Sequence, residues 1–204
     1  MDKKIINHFQ VVDPRLYDVL VLLIGKTDRL TPTSADDYFT HLCEAIVSQQ
    51  LSEKAGTTIW NRFVALFPKG KITPEQVLAM PDDSIRAVGP SRSKISYLKN
   101  LAQSVSDKQL LLQKLPDMEN EEVIAELTKI KGIGPWTAEM FLMFALGRED
   151  VFSFGDLGLR NGIKKIYNMK KDPTRKQMEK ITKKWAPYRT YASRILWGSL
   201  DLRV

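Results

Sequence analysis

Residues 127–138 read Leu127-Thr-Lys-Ile-Lys-Gly-Ile-Gly-Pro-Trp-Thr-Ala138. A segment carrying Glu121, Glu122 and Glu126 leads into this run with Val123, Leu127 and Ile130 at helical spacing. Pro135 stands where a second helix begins, because the first helical turn leaves its N–H groups unpaired and proline has none to lose. Between the helices Gly132 and Gly134 flank Ile133, and glycine both reaches positive φ and carries no Cβ to hold a ligand away. The pattern predicts two helices joined by a tight turn, with Ile133 plugged into the core. Exposed amides at the positive end of the second helix suit a phosphate. Contacts of that kind seat a protein on a nucleic-acid backbone without reading its sequence.

The same helical grammar extends outward in both directions. Asp13-Pro14, Thr73-Pro74 and Asp172-Pro173 each place a capping side chain before a proline at a first helical position. Ser34, Ser52, Ser91 and Asn120 precede further helical segments, and Gly25, Gly89, Gly147 and Gly198 fall near helix ends. Phe39, Leu42, Cys43, Ile46 and Val47 form one apolar stripe, and Trp60, Phe63, Val64 and Phe67 form the next. No segment alternates as a strand, so the expected class is all-α, with about ten short helices.

The 204 residues suffice for one or two small domains with a true core. The longest aliphatic run, Val19 to Ile24, is six residues against the roughly 20 that span a bilayer, and no membrane partner is expected. Met1-Asp-Lys-Lys-Ile-Ile6 opens without an apolar signal region, and one cysteine, Cys43, cannot form an internal disulfide or ligate an iron–sulfur cluster. The cytoplasm is the expected compartment (the nucleoid, in a prokaryote). His8 and His41 stand in no metal-ligand spacing, and no phosphate loop of the Walker type is present. No heptad pattern points to a dimer, so a monomer is expected.

The net charge is +7, but it is not spread evenly. Between Arg160 and Arg194 lie twelve basic residues and only two acidic ones, Asp172 and Glu179, whereas residues 1–159 are slightly acidic. Such a block reads either as a face for a polyanion or as a solvated helix surface.

With these features in view, the chain resembles the helix-hairpin-helix DNA glycosylases, and within them the DNA-3-methyladenine glycosylase II branch in a compact form lacking the N-terminal β domain. Beyond the hairpin, the resemblance rests on Ala45-Ile-Val-Ser-Gln-Gln-Leu-Ser52, Gly89-Pro-Ser-Arg-Ser-Lys94, Asp150-Val-Phe-Ser-Phe-Gly-Asp-Leu-Gly-Leu-Arg160 and Trp185-Ala-Pro-Tyr-Arg-Thr-Tyr-Ala-Ser193. It implies two helical subdomains, residues 1–34 with 140–204 and residues 35–139. The helix-hairpin-helix at 127–146 belongs to the second, and the active site is expected in the cleft between them. The implied activity is excision of alkylated purines, of the 3-methyladenine and 7-methylguanine type, from double-stranded DNA. The alternatives are a non-enzymatic binder of damaged or branched DNA, and a glycosylase for deaminated or oxidised bases.

The resemblance also implies roles for individual residues. Asp156, 24 residues beyond Gly132, matches the catalytic aspartate, although on spacing alone the cap of a helix starting at Leu157 is the favoured reading. Trp136 stands where bifunctional relatives carry a Schiff-base lysine, which argues for a monofunctional hydrolase. Trp136, Met140 and Trp197 are the implied base pocket, with Trp197 open to a plain core reading. An aromatic face attracts a cationic alkylated base by about 0.5–2 kcal/mol. The implied DNA contacts are Gln49, Gln50, Leu51, Ser91, Lys94, Lys131, Gly132, Ile133, Gly134, Thr137 and Arg160. Gln50 is the chosen wedge, filling the gap left by the flipped nucleotide. No cofactor is expected for catalysis. A structural Na+ or K+ is implied at the hairpin, on the backbone carbonyls of Thr128, Ile130 and Ile133.

Overall fold

The structure, a computed structural model, describes residues 1–27 and 30–202. Twelve α-helices and three 3-10 turns make up its regular structure, and no strand occurs among the described residues. In chain order the helices are α1 (Lys3–Val12), α2 (Pro14–Leu23), α3 (Tyr38–Ser48), α4 (Glu53–Val64), α5 (Pro74–Ala79) and α6 (Asp82–Ala87). There follow α7 (Arg92–Ser106), α8 (Asn120–Thr128), α9 (Pro135–Phe144), α10 (Leu157–Ile166), α11 (Arg175–Thr182) and α12 (Arg189–Asp201). The chain divides into two compact units, Met1–Ser34 with Leu142–Val204, and Ala35–Phe141.

The discontinuous unit packs Phe9, Leu16 and Leu20 with Leu159, Ile163, Ile195, Leu196 and the fully buried Trp185. Its polar anchor is Asp13, which caps α2 by accepting the Leu16 amide at 3.3 Å. The other oxygen, Oδ2, accepts the Trp185 indole N–H at 2.7 Å and the Tyr167 hydroxyl, with Lys184 Nζ 3.1 Å away. Asp13 is only 1% exposed, and a buried carboxylate with this many donors is compensated where a bare one would not be.

The continuous unit is built on the α3 stripe (Phe39, Leu42, Cys43, Ile46, Val47), all of it buried, together with Phe63, Val77, Ile85, Leu98, Leu101, Val123 and Leu127. Trp60 is half-buried, stacked on Phe63 at 5.7 Å. Burial pushes the pKa of His41 down, and its ring lies edge-on to Phe141.

Most cap positions fall where the residue pattern puts them: Asp13, Ser52, Thr73 and Ser91 all accept an amide of their own helix. Four differ. Helix α3 is capped by Asp37, not Ser34, because Asp37 takes both the Thr40 amide and the Thr40 hydroxyl. Asn120 is the first residue of α8, whose capping box pairs Glu119 with Glu122. Asp172-Pro173 starts no helix, because Thr174 and Gln177 form a capping box two residues later while Asp172 pairs with Lys164 at 2.7 Å. Gly198 lies inside α12, where an added Cβ would meet Leu23 Cδ1 at 2.8 Å.

Candidate nucleic-acid interface and candidate active site

The hairpin forms in the continuous unit. Helix α8 ends at Thr128, Ile130 and Ile133 are buried, and the Ile133 amide returns to the Ile130 carbonyl at 3.0 Å. Only one of the two glycines uses positive φ. Gly132 sits at φ +110°, and a Cβ there would lie 2.2 Å from Tyr97 Cγ. Gly134 needs no such φ, and nothing stands within 4 Å of where its Cβ would be. The turn thus requires glycine at 132 for folding, whereas Gly134 leaves an open approach to the amides at the start of α9. Lys131 and Gly134 are exposed, Thr137 is buried, and Trp136 is 45% exposed, an unusual placement for an indole unless it is to meet something. Met140, one turn on, is buried.

The Gln49–Ser52 loop is tied to that hairpin. Gln49 Nε2 donates to the Gly132 carbonyl at 2.9 Å and to Thr137 Oγ1 at 3.3 Å. Gln50 projects at φ +57°, a left-handed conformation uncommon for a residue with a side chain, and Gln50 and Leu51 are both exposed. Lys94 has a different place from the one its family motif implies. Its ammonium donates to the carbonyls of Val47 (2.8 Å) and Gln49 (2.7 Å), and burial of the group holds its pKa below the usual lysine value. Ser91, exposed, caps α7 by accepting the Lys94 amide at 3.3 Å.

In the other unit Asp156 caps α10. Its Oδ1 accepts the Leu159 amide at 2.7 Å and the Trp197 indole N–H at 3.0 Å. Trp197 in turn stacks on Phe144 (5.8 Å), with the Arg194 guanidinium 4.6 Å from that ring's centre. Beside this aromatic pair opens a cavity of about 760 Å³ bordered by Leu23, Leu30, Phe144, Trp197 and Asp201. Residue-pattern reasoning passes over Gly158, yet a Cβ there would lie 2.9 Å from Trp197 Nε1 and 3.1 Å from Asp156 Oδ1. Glycine at 158 is what lets the indole reach the carboxylate, and only the run Asp156-Leu-Gly-Leu hinted at it.

The loop leading to Asp156 is clamped by the start of α12. Arg189 donates Nε and Nη2 to the two oxygens of Asp150 at 2.6 and 2.8 Å, and the Thr190 hydroxyl donates to the Arg148 carbonyl while accepting the Val151 amide. Burial works to raise the Asp150 pKa, but the Arg189 bonds outweigh it and hold the carboxyl below the usual range.

The basic block is less free than its charge suggests. Lys164 pairs with Asp172, Arg175 with Glu179, Lys184 with Asp13 and Arg189 with Asp150. Lys165 donates to the carbonyls of Ser199 and Leu202, and Arg194 is buried. Arg160 is half-buried, close enough to Asp172 to help lower its pKa, after the larger effect of Lys164. Lys170, Lys171, Lys176, Lys180 and Lys183 are exposed.

Comparison with known proteins then supplies a family. Residues 43–187 match the model of the HhH-GPD superfamily base excision DNA repair proteins. The chain is 38% identical over 185 residues to DNA-3-methyladenine glycosylase 1 of Schizosaccharomyces pombe, covering 90% of this chain and 81% of that one. Among solved structures it is similar to the S. pombe 3-methyladenine DNA glycosylase Mag1 in complex with abasic DNA, at TM-score 0.86 and 36% identity over 98% of both chains. A DNA-3-methyladenine glycosidase from Bacillus halodurans matches at TM-score 0.81 and 35% identity, over 98% of this chain and 90% of that one.

Proposed function

We infer, from the premise that this chain belongs to the HhH-GPD superfamily of base excision DNA repair proteins, that it is a monofunctional DNA-3-methyladenine glycosylase. It binds double-stranded DNA and excises alkylated purines, leaving an abasic site. The observation that carries the chemistry is a carboxylate, Asp156, held by a helix amide and an indole N–H on one oxygen.

The reaction follows from that carboxylate. A base inside a duplex cannot be attacked, so it must first leave the stack at a cost of a few kcal/mol, less for a damaged base. When the N-glycosidic bond breaks, its electron pair leaves with the base and positive charge develops on the sugar. A fixed anion beside C1′ stabilises that charge, and orientation before the reaction is what makes such stabilisation effective. Water then forms the new C1′–O bond and gives its proton to the Asp156 carboxylate, which passes it to solvent. Alkylated purines carry positive charge and depart readily, so the protein's work is flipping, stacking against Trp136 and Trp197, and stabilising the sugar cation.

The hairpin amides and Lys131 grip the DNA backbone. A monovalent cation at the hairpin belongs to the same reading. The Thr128 carbonyl lies in the last turn of α8, where helix carbonyls lack intrahelical partners, and the Ile130 carbonyl, which accepts one amide, has a second lone pair. With the Ile133 carbonyl these would hold Na+ or K+, which would supply positive charge facing a phosphate. No described helix is long and apolar enough to cross a membrane. A cytoplasmic monomer belongs to the same proposal.

The test is release of free base from methylated duplex DNA by the wild type and by Asp156→Asn, with and without alkali. The wild type is expected to release methylpurines without nicking the strand. Asn preserves the cap, so the variant is expected to bind DNA normally and to lose at least about 100-fold in rate. If neither protein releases base and both bind DNA equally, Asp156 is only a helix cap and the protein is a binding module.

A further inference from the structure

Helix α7 touches both DNA-facing loops of its unit through one face. Lys94, Tyr97 and Asn100 follow one another at intervals of three residues, which places them along one side of a helix. Lys94 donates to the Val47 and Gln49 carbonyls, at the end of α3 where the wedge loop begins. Tyr97 packs its ring into the space that a side chain at Gly132 would need. Asn100 Nδ2 donates to the Lys131 carbonyl at 3.4 Å. A fourth bond closes the circuit directly, from Gln49 Nε2 to the Gly132 carbonyl.

We propose that Lys94, Tyr97 and Asn100 are positioning residues for base flipping, a spine that fixes the wedge tip at Gln50 in register with the phosphate-gripping turn at Gly132. This rests on the glycosylase reading and on Gln50 as the wedge. The physical need is plain. The wedge must enter the stack at the nucleotide whose phosphates the hairpin holds, and an offset of even an ångström between grip and wedge spoils the alignment. Gln50 also sits in a strained left-handed conformation that surrounding structure must over-determine. The last carbonyls of α3 have no helical partner, and a half-buried ammonium bonded to the Val47 and Gln49 carbonyls holds the loop from below. Lys94 thereby acts through Gln49 and Gln50, not on a phosphate.

Two readouts separate these roles. One is the salt dependence of binding to a duplex with a tetrahydrofuran abasic analogue, whose log–log slope falls by about one unit for each phosphate that a variant ceases to neutralise. The other is fluorescence of 2-aminopurine placed next to that analogue, which rises when a wedge unstacks it and does not depend on catalysis. For Lys94→Met the salt slope is expected to equal that of the wild type. The fluorescence rise and the single-turnover release of 7-methylguanine are expected to fall by about 10- to 100-fold, with partial recovery in Lys94→Arg. A slope shallower by about one unit would make Lys94 a phosphate ligand and overturn the proposal. So would a lowered melting temperature with fluorescence unchanged. If Lys94→Met does not fold, Asn100→Ala takes the same two measurements, with a smaller loss of fluorescence expected and an unchanged one counting against the spine. Failure of the wild type to release base would defeat the glycosylase reading instead, while the fluorescence still reports on the wedge.

Discussion

The indole N–H of Trp197 and the amide of Leu159 converge on the same oxygen of Asp156, at 3.0 and 2.7 Å. The residue that walls the candidate base pocket therefore also aims the carboxylate, and Gly158 between them keeps the space clear. Under the proposed function, substrate stacking and sugar-cation stabilisation would be coupled through that single hydrogen bond.

Trp197→Phe removes that donor while keeping an aromatic ring, though a smaller one, to lie against Phe144. A hydrogen bond to a charged group contributes about 1.5–3 kcal/mol, so single-turnover excision at saturating enzyme should fall by about 10- to 100-fold. Thermal melts should move little. An unchanged rate would mean that the Leu159 amide alone orients Asp156.

The two hairpin glycines should separate cleanly. Gly132→Ala drives a Cβ to 2.2 Å from the Tyr97 ring at φ +110° and should cost at least about 2 kcal/mol of stability, seen as a lower melting temperature. Gly134→Ala meets no atom within 4 Å and should stay within about 0.5 kcal/mol of the wild type. Its methyl stands in the approach to the α9 amides, so affinity for an abasic duplex should drop while the fold persists.

The lysines of the basic block should divide by what they touch. Lys170→Gln and Lys171→Gln together should make the salt slope of DNA binding shallower, by about one unit for each phosphate these lysines neutralise. Lys165→Gln should leave the slope alone and lower the melting temperature, because its ammonium holds the Ser199 and Leu202 carbonyls at the end of α12. Equal slopes for all of these variants would make the exposed lysines a solvated surface only.

Alkaline pH should weaken the continuous unit through Cys43. Burial first, and the Asp37 charge second, push its thiol pKa well above the ordinary value near 9.0. The folded state therefore keeps a proton that the unfolded chain releases, so this contribution to stability is complete below about pH 9 and declines as the pH rises beyond it. Melting temperatures between pH 7 and 10.5 should show the decline, and Cys43→Ala should make it shallower. The native thiol should resist iodoacetamide until the protein unfolds.

The all-α class and the hairpin were legible because their signals are local: a proline at a helix start, two glycines, apolar stripes at helical spacing. Asp156 as a cap was equally local. Lys94 was not, because an ammonium bonded to carbonyls at Val47 and Gln49 looks the same in a sequence as one that reaches a phosphate. The basic block misleads for the same reason. Its charges can be counted along the chain, but the carbonyls and carboxylates that occupy Lys165, Lys184 and Arg189 lie 34 or more residues away. Asp172-Pro173 shows two adjacent start signals competing, and the one with a reciprocal partner, Thr174 with Gln177, prevails.

Asp13 and Trp185, 172 residues apart in sequence, meet in one buried bond. During synthesis this separation sets an order. Residues 35–141 are contiguous and all made before Trp185, while the helices before them wait for Trp185 and for the helix that bears Trp197. Under the proposed function, the hairpin's side of the work is thus made first, and Trp197, which aims Asp156, is made last. On that reading, a chain cut short before α12 would keep the hairpin sequence and lack the indole that aims Asp156.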